Sequence, residues 1–216
     1  LTSEDVVYSI QRACEMPVSK STFSSFDGPN TVAVDEYTVD IKVKEPSATA
    51  LTVLTHGRGN IVSKQLMEEV GSDVYGLAPV GTGKFKFVEW VPGDHITMTR
   101  NDDYWGDKPA FKDLTIRFVT EDASRAIELE TGAVDVSLQI GANDIDRLTA
   151  DKNLKTYVIP SSQVTLFQIT QLNFDTLDDV RVREAMHLAL DLDAIIKTAY
   201  RGQAMVATSL LPPGTF

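Results

Sequence analysis

His56, Arg58 and Asn60 share one glycine-rich stretch, His56-Gly57-Arg58-Gly59-Asn60. An imidazole, a guanidinium and an amide on a loop are the parts of a binding site, because loops carry function. The other histidines stand alone. His95 alternates with threonine on a strand pattern and is expected to face solvent, and His187 is expected to be a satisfied boundary residue on a helix. No histidine pair has the i, i+4 spacing of a zinc site. Gly81-Thr82-Gly83-Lys84 ends like a phosphate loop. Ala78 holds the place of the first glycine, however, Phe85 follows the lysine, and a strand pattern replaces the helix, so no nucleotide site is expected. Cys14 lies in a helix body with no histidine near it in sequence, and there is no Gly-x-Ser-x-Gly elbow. No nucleophile is identified, and a triad scattered along the chain stays open. The acidic pairs, among them Asp178-Asp179 and Asp191/Asp193, stand mostly at helix starts, where the macrodipole favours them. Asp191-Leu192-Asp193 lacks the glycine and glutamate of a calcium loop. Phe23 and Phe26 are either staples onto a core or a stacking surface for a ligand. The sequence asks for no metal and no cofactor.

The elements that must position these residues begin with a helix. Thr2 and Asp5 form a capping pair, Val6, Val7, Ile10, Ala13 and Cys14 recur at helical spacing, and Pro17 ends the run. Residues 31–34 and 38–44 predict a hairpin, residues 47–55 a short helix, and Ser63 caps a helix over 64–70. A glycine- and proline-bearing loop is expected over 71–82. In the next strand Phe85, Phe87, Glu89 and Val91 share one face and Lys84, Lys86, Val88 and Trp90 the other. Pro92-Gly93 fits the centre of a type II turn, and strands over 95–100 and 114–119 follow. The pattern then alternates. Asp122 caps a helix closed by Gly132, 143–150 is a short helix, and 134–138, 154–159 and 164–172 read as strands. Asp178 or Asp179 starts a helix with Val182, Ala185, Met186 and Ala189 on one face, and 191–201 is a second. Strands alternating with helices predict an α/β chain with mixed sheets and flanking helices.

Composition narrows the partners. The 216 residues include 20 Lys plus Arg against 31 Asp plus Glu, a formal net charge of -11. A phosphate backbone is repelled by that field on average, so no nucleic-acid partner is expected. No run approaches the ~18 apolar residues of a membrane span. One cysteine makes neither an internal disulfide nor a cysteine-based zinc site. The chain opens on Leu1 and closes on the loop-like Leu211-Pro212-Pro213-Gly214-Thr215-Phe216, and it is expected to be an internal piece of a longer chain.

Four stretches in order carry a resemblance. Gly81-Thr82-Gly83-Lys84-Phe85-Lys86-Phe87 with Trp90, Pro92-Gly93 and Arg100-Asn101-Asp102-Asp103-Tyr104-Trp105-Gly106 resembles the "GTGPYKF…W.PG……RN.DYWG" signature of the family 5 extracellular solute-binding proteins, the dipeptide- and oligopeptide-binding proteins of ABC importers. Lys84 stands where that family often has proline. Residues 1–13 look like its "LTAEDVVYS..RA". Glu121-Asp122-Ala123-Ser124-Arg125 with Gly132-Ala133-Val134-Asp135 looks like its "D…R…L..GE.D". Residues 177–185 with Asp193-Ala194-Ile195-Ile196 are similar to "DVRVRQAL….D..AI".

The resemblance implies a periplasmic-binding-protein-like class II (Venus-flytrap) fold, here incomplete. Residues 1–72 match part of a small first-lobe subdomain, 73–111 strands of the main first-lobe sheet, and 112–216 the N-terminal part of a second lobe. It implies a non-catalytic, extracytoplasmic substrate-binding component that captures a small peptide and hands it to ABC permease transmembrane subunits. Its location would be the periplasm, or the cell surface as a lipoprotein. A nickel chelate, glutathione, an opine or a sugar is the alternative ligand, and a hydrolase with its nucleophile elsewhere the alternative class. By resemblance Phe23 takes the place of a cleft-facing tyrosine and His56 that of a cleft-edge histidine. Gln163 and Phe167 lie on a strand crossing near the cleft, and Arg58 joins His56 from the loop reading.

Overall fold

A computed structural model describes residues 1–159, 161, 163–169 and 175–210. Two compact units divide it, Leu1–Phe118 and Val119–Phe216.

The first unit starts with α1 (Ser3–Glu15). Its N-terminus forms as the sequence predicts, with the Thr2 backbone N–H donating to Asp5 Oδ2 at 2.8 Å. The predicted hairpin is present but short: β1 (Val32–Ala33) pairs antiparallel with β2 (Val39–Asp40). Helix α2 (Ala50–Leu54) and a 3-10 turn (Gly57–Gly59) follow. One face of α1 closes the core here. Ile10, Ala13, Phe23 and Phe26 are buried, with Val6, Cys14, Ile41, Val53 and Leu54 packed against them. The rings of Phe23 and Phe26 meet at 5.4 Å between centroids, a tilted contact that adds to area burial.

Helix α3 (Lys64–Leu77) is capped by Ser63, whose hydroxyl accepts from the Leu66 N–H at 3.3 Å. It breaks at Gly71, where φ is 79°. The expected loop over 71–82 is therefore corrected in part: Gly71 interrupts the helix, and helical turns resume to Leu77. The Tyr75 hydroxyl then donates to the Val80 carbonyl at 2.7 Å and folds the chain toward the sheet strands.

Strands β3 (Phe85–Val91), β4 (His95–Arg100) and β5 (Asp113–Arg117) form an antiparallel sheet in the order β3-β4-β5. The β3–β4 turn is as predicted. Asp94 N–H donates to the Val91 carbonyl at 3.0 Å, and Gly93 supplies a φ of 80°. The expected faces of β3 need correction. A bulge between Phe87 and Glu89 shifts the register, so that Phe87 pairs with Met98 but Glu89 with Thr97 and Trp90 with Ile96. Beyond the extra residue the alternation inverts. Trp90 joins Phe85, Phe87, Ile96 and Met98, and Glu89 joins His95. Buried Asn101 ties the sheet to the glycine loop: its amide donates to the Gly83 carbonyl at 3.0 Å, and its Oδ1 accepts from the Asp103 N–H.

His95 was expected to face solvent. It is instead half-buried between carboxylates, with Nδ1 3.0 Å from Asp94 Oδ2 and Nε2 3.6 Å from Glu89 Oε1. The bulge puts Glu89 within reach. Arg117 is its cross-strand partner on β5.

In the second unit, α4 (Asp122–Glu130) closes at Gly132, φ 72°, as predicted. Asp122 lies inside the first turn rather than capping it, and it pairs with Arg125. The Arg125 guanidinium also donates to the carbonyls of Val119, Thr120 and Gln139. Helices α5 (Ala142–Ala150), α6 (Val180–Leu188) and α7 (Leu192–Ala199) follow. Asp179 and Asp191 cap the last two through Arg181 N–H and Ala194 N–H. His187 is exposed, not a boundary residue. The strands expected over 134–138, 154–159 and 164–169 are absent among the described residues, because no backbone ladder pairs with them. Residues 170–172 of the last, and the expected closing loop 211–216, lie outside the described residues.

Asp5 also accepts the Lys64 N–H at 2.9 Å. The Thr2 N–H first, and the Lys64 N–H with it, hold its carboxyl below the ordinary 3.8 despite partial burial. A lowered folded pKa means the stabilisation is complete above that ordinary value and is lost as pH falls through the folded one. Asp5→Ala is expected to cost about 1–2 kcal/mol. Thermal unfolding at neutral pH checks this, and the gap to wild type should close on acidification. His95 has the opposite sign. Asp94 first, then Glu89, raise its pKa above 6.5. Its contribution is complete below that value and lost as pH rises through the folded pKa. His95→Gln should therefore lower the melting temperature more at about pH 6 than at about pH 8.

Candidate functional site

The glycine-rich stretch folds as a tight turn held from inside. The His56 N–H donates to the Val53 carbonyl at 3.0 Å, and the Gly59 N–H to the His56 carbonyl at 2.8 Å. The Arg58 N–H donates to His56 Nδ1 at 3.1 Å. That bond makes Nδ1 the acceptor, so in the neutral ring the proton sits on Nε2. The Arg58 guanidinium reaches back to Thr22, with Nη1 3.3 Å from the hydroxyl.

Glycine is required at position 59 by a close approach. A Cβ there would stand 2.6 Å from Phe23 Cζ. The turn thus rests on the edge of the Phe23 ring. Downstream, the Val62 N–H donates to Ser9 Oγ at 3.0 Å, and Lys64 is held by Asp5, so α1 fixes the exit of the turn.

Phe23, His56 and Arg58 come together in this neighbourhood. Phe23, expected by resemblance to face a cleft, is 1% exposed and supports the turn from the core side. His56, Arg58 and Asn60 are exposed. Gln163 and Phe167 belong to the second unit. The Gln163 N–H donates to Ser161 Oγ at 3.0 Å, and Phe167 is 74% exposed. Sequence reasoning missed Thr22, which holds Arg58, and Gly59 as the packing contact of Phe23. A glycine flanking the one arginine of the loop was the signal for the second.

Other chemistry is poorly supported. Burial raises the Cys14 thiol above its ordinary value, and Sγ lies 3.9 Å from the Phe23 carbonyl. A thiol so placed is a weak nucleophile. Among the described residues no group of three or more histidine, cysteine or acidic side chains is arranged to hold a metal ion. No helix among them is long and apolar enough to cross a membrane. The turn thus presents exposed His56, Arg58 and Asn60 above the buried Phe23 ring.

The family model for bacterial extracellular solute-binding proteins, family 5 (middle), matches residues 1–216. The chain belongs to that family. The glutathione-binding protein GsiB of Salmonella paratyphi A is 32% identical over 186 residues, 85% of this chain and 36% of its own length. Among solved structures, the periplasmic binding protein DppA from Helicobacter pylori, in complex with the peptide STSA, superposes with a TM-score of 0.84. It is 25% identical and is matched over 98% of this chain and 44% of its own. NikZ from Campylobacter jejuni, in complex with Ni(L-His), gives a TM-score of 0.79 at 24% identity, over 95% of this chain and 41% of its own, and shows the fold alone. The fold is that of class II periplasmic binding proteins, as the resemblance implied. The chain spans roughly two-fifths of these relatives' length, and the relatives are binding proteins rather than enzymes.

The Phe23–Gly59 contact is open to a direct test. Gly59→Ala must displace either the ring or the turn and is expected to cost about 1–3 kcal/mol. Combining it with Phe23→Leu, which removes the offending ring edge, should give less than the sum of the single losses in thermal unfolding.

Proposed function

We propose that the protein carrying this chain is the substrate-binding component of an ABC importer, capturing di- or oligopeptides outside the cytoplasm and delivering them to permease subunits. It acts without catalysis, in the periplasm or as a cell-surface lipoprotein. Residues 1–72 are assigned to a small first-lobe subdomain, 73–111 to the main first-lobe sheet and 112–216 to the start of a second lobe. The observation that carries the reading is the family match over residues 1–216, with a peptide-bound relative superposing over nearly the whole chain.

His56 and Arg58 are assigned as solute contacts on the turn that Phe23 supports, and Gln163 and Phe167 are assigned as ligand-binding residues by the resemblance. Class II proteins act by lobe closure around the ligand, which the permease then recognises. A second reading keeps the role and changes the solute. It is favoured by the relation to a glutathione-binding protein at 32% identity. Glutathione, a peptide and Ni(L-His) differ in shape, yet each carries a carboxylate.

Native mass spectrometry of the full-length protein, freshly purified from an exporting host and then denatured, separates the two. A released mixture of short peptides is the expected outcome. A single defined mass replaces the ligand and keeps the role. An empty protein that turns over a peptide or ester panel overturns the reading in favour of a hydrolase.

A further inference from the structure

We propose that Arg125 is a positioning residue for lobe closure: it clamps the first residues of the second unit, so that the connection between the units turns only at Phe118 and Val119. The inference rests on the uptake reading above, in which closure is the working motion.

Three observations carry it. First, the connection is held on both sides of one short stretch. Within the first unit the Phe118 N–H donates to the Asp94 carbonyl at 2.8 Å. Within the second unit Arg125 Nη1 donates to the Val119 carbonyl at 2.7 Å and to the Thr120 carbonyl at 2.9 Å. Among the described residues no backbone bond holds the Phe118 carbonyl or the Val119 N–H. The dihedral angles between these two pins are left soft, and a hinge is a few residues that absorb such a change. Second, the same guanidinium gathers its surroundings. Nη2 donates to the Gln139 carbonyl at 2.9 Å, 14 residues on, and pairs with Asp122. Gln139 holds a φ of 56°, uncommon for a residue other than glycine. A Cβ at Gly141 would stand 2.8 Å from Asp122 Oδ2, so the loop closes tightly on this pair. Arg183 also bonds two carbonyls, but both, Leu177 and Asp178, lie just before its own helix. Third, the contact is costly to lose. Carbonyl oxygens turned to one point repel each other, and a flat cation with five donors answers them together. The side chain is mostly buried and leaves Nε without a partner among the described residues, so the acceptors at Nη1 and Nη2 set its placement. Without Arg125 three carbonyls and a carboxylate need new donors, and turning the segment toward water supplies them.

The test uses the full-length protein, with spin labels at Glu15→Cys and Thr149→Cys in a background without other cysteines. Both positions are exposed, on α1 of the first unit and α5 of the second. Pulsed electron resonance reads the width of the distance distribution between the labels, with no ligand added. Arg125→Ala is expected to widen it by about twofold. Arg125→Lys keeps the charge but not the fork. It should fall between, and it carries the test if the alanine variant does not fold. Arg147→Ala is the control, because Arg147 pairs with Glu130 and Asp144 of the same unit through side chains. Its loss should lower the melting temperature and leave the width as in wild type. An unchanged width in the Arg125 variants overturns the clamp while the uptake reading stands. Equal widening by Arg147→Ala also overturns the clamp, since the effect is then general loosening. A protein that turns over a peptide panel overturns the uptake reading, whatever the widths.

Discussion

Asp5 and Ser9 lie about one helical turn apart on α1, and each accepts a backbone N–H from a segment far along the chain. Ser9 Oγ holds Val62, 53 residues away, and Asp5 Oδ1 holds Lys64, 59 residues away. Ser3 adds its own bonds, donating from N to the Glu36 carbonyl and from Oγ to that of Asp35. The first helix is therefore a template. Its apolar face closes the core, and its polar edge sets where the hairpin and the exit of the 56–60 turn must lie. Buried acceptors left without these partners would carry the desolvation cost of an unmet hydrogen bond, so the arrangement is self-enforcing. The position of Arg58 follows from it. The turn is held downstream by α1 and from beneath by Phe23.

The features of this half that could be read in the sequence are the local ones. Thr2 and Asp5, Ser63 and Pro92-Gly93 each act within a few residues of themselves, and each does in the structure what its type and spacing implied. The errors arise where a neighbour from another strand decides. Val88 carries no mark of a bulge, because a bulge is a property of the pair of strands and not of one of them. Once the register shifts, Trp90 changes sides, Glu89 comes beside His95, and a histidine read as solvated becomes flanked by two carboxylates.

The second unit shows the same limit more severely. Its helices were legible from capping acids and a closing glycine. The stretches 134–138, 154–159 and 164–169 have the composition of strands and not the pairing. Val136, Leu138, Tyr157, Ile159 and Phe167 are largely exposed. Apolar alternation states what a segment needs covered, but a strand exists only when a partner supplies the ladder. Gln163 keeps one local bond, its N–H donating to Ser161 Oγ, and Phe167 stands exposed.

The turn itself lies between these cases. Its residue types pointed to recognition, and its glycines to a close approach, but not to the ring that is approached. Phe23 looked like a ligand contact or a core staple. Its burial assigns it the second role, and in doing so explains Gly59. Family membership bears on the fold throughout and on the solute hardly at all, since relatives of one architecture take glutathione, a peptide or a nickel complex. One architecture that hosts such different ligands leaves the choice of ligand to individual side chains rather than to the fold. In this chain the packing of Gly59 on Phe23 fixes the backbone of the turn, and His56, Arg58 and Asn60 stand exposed on it.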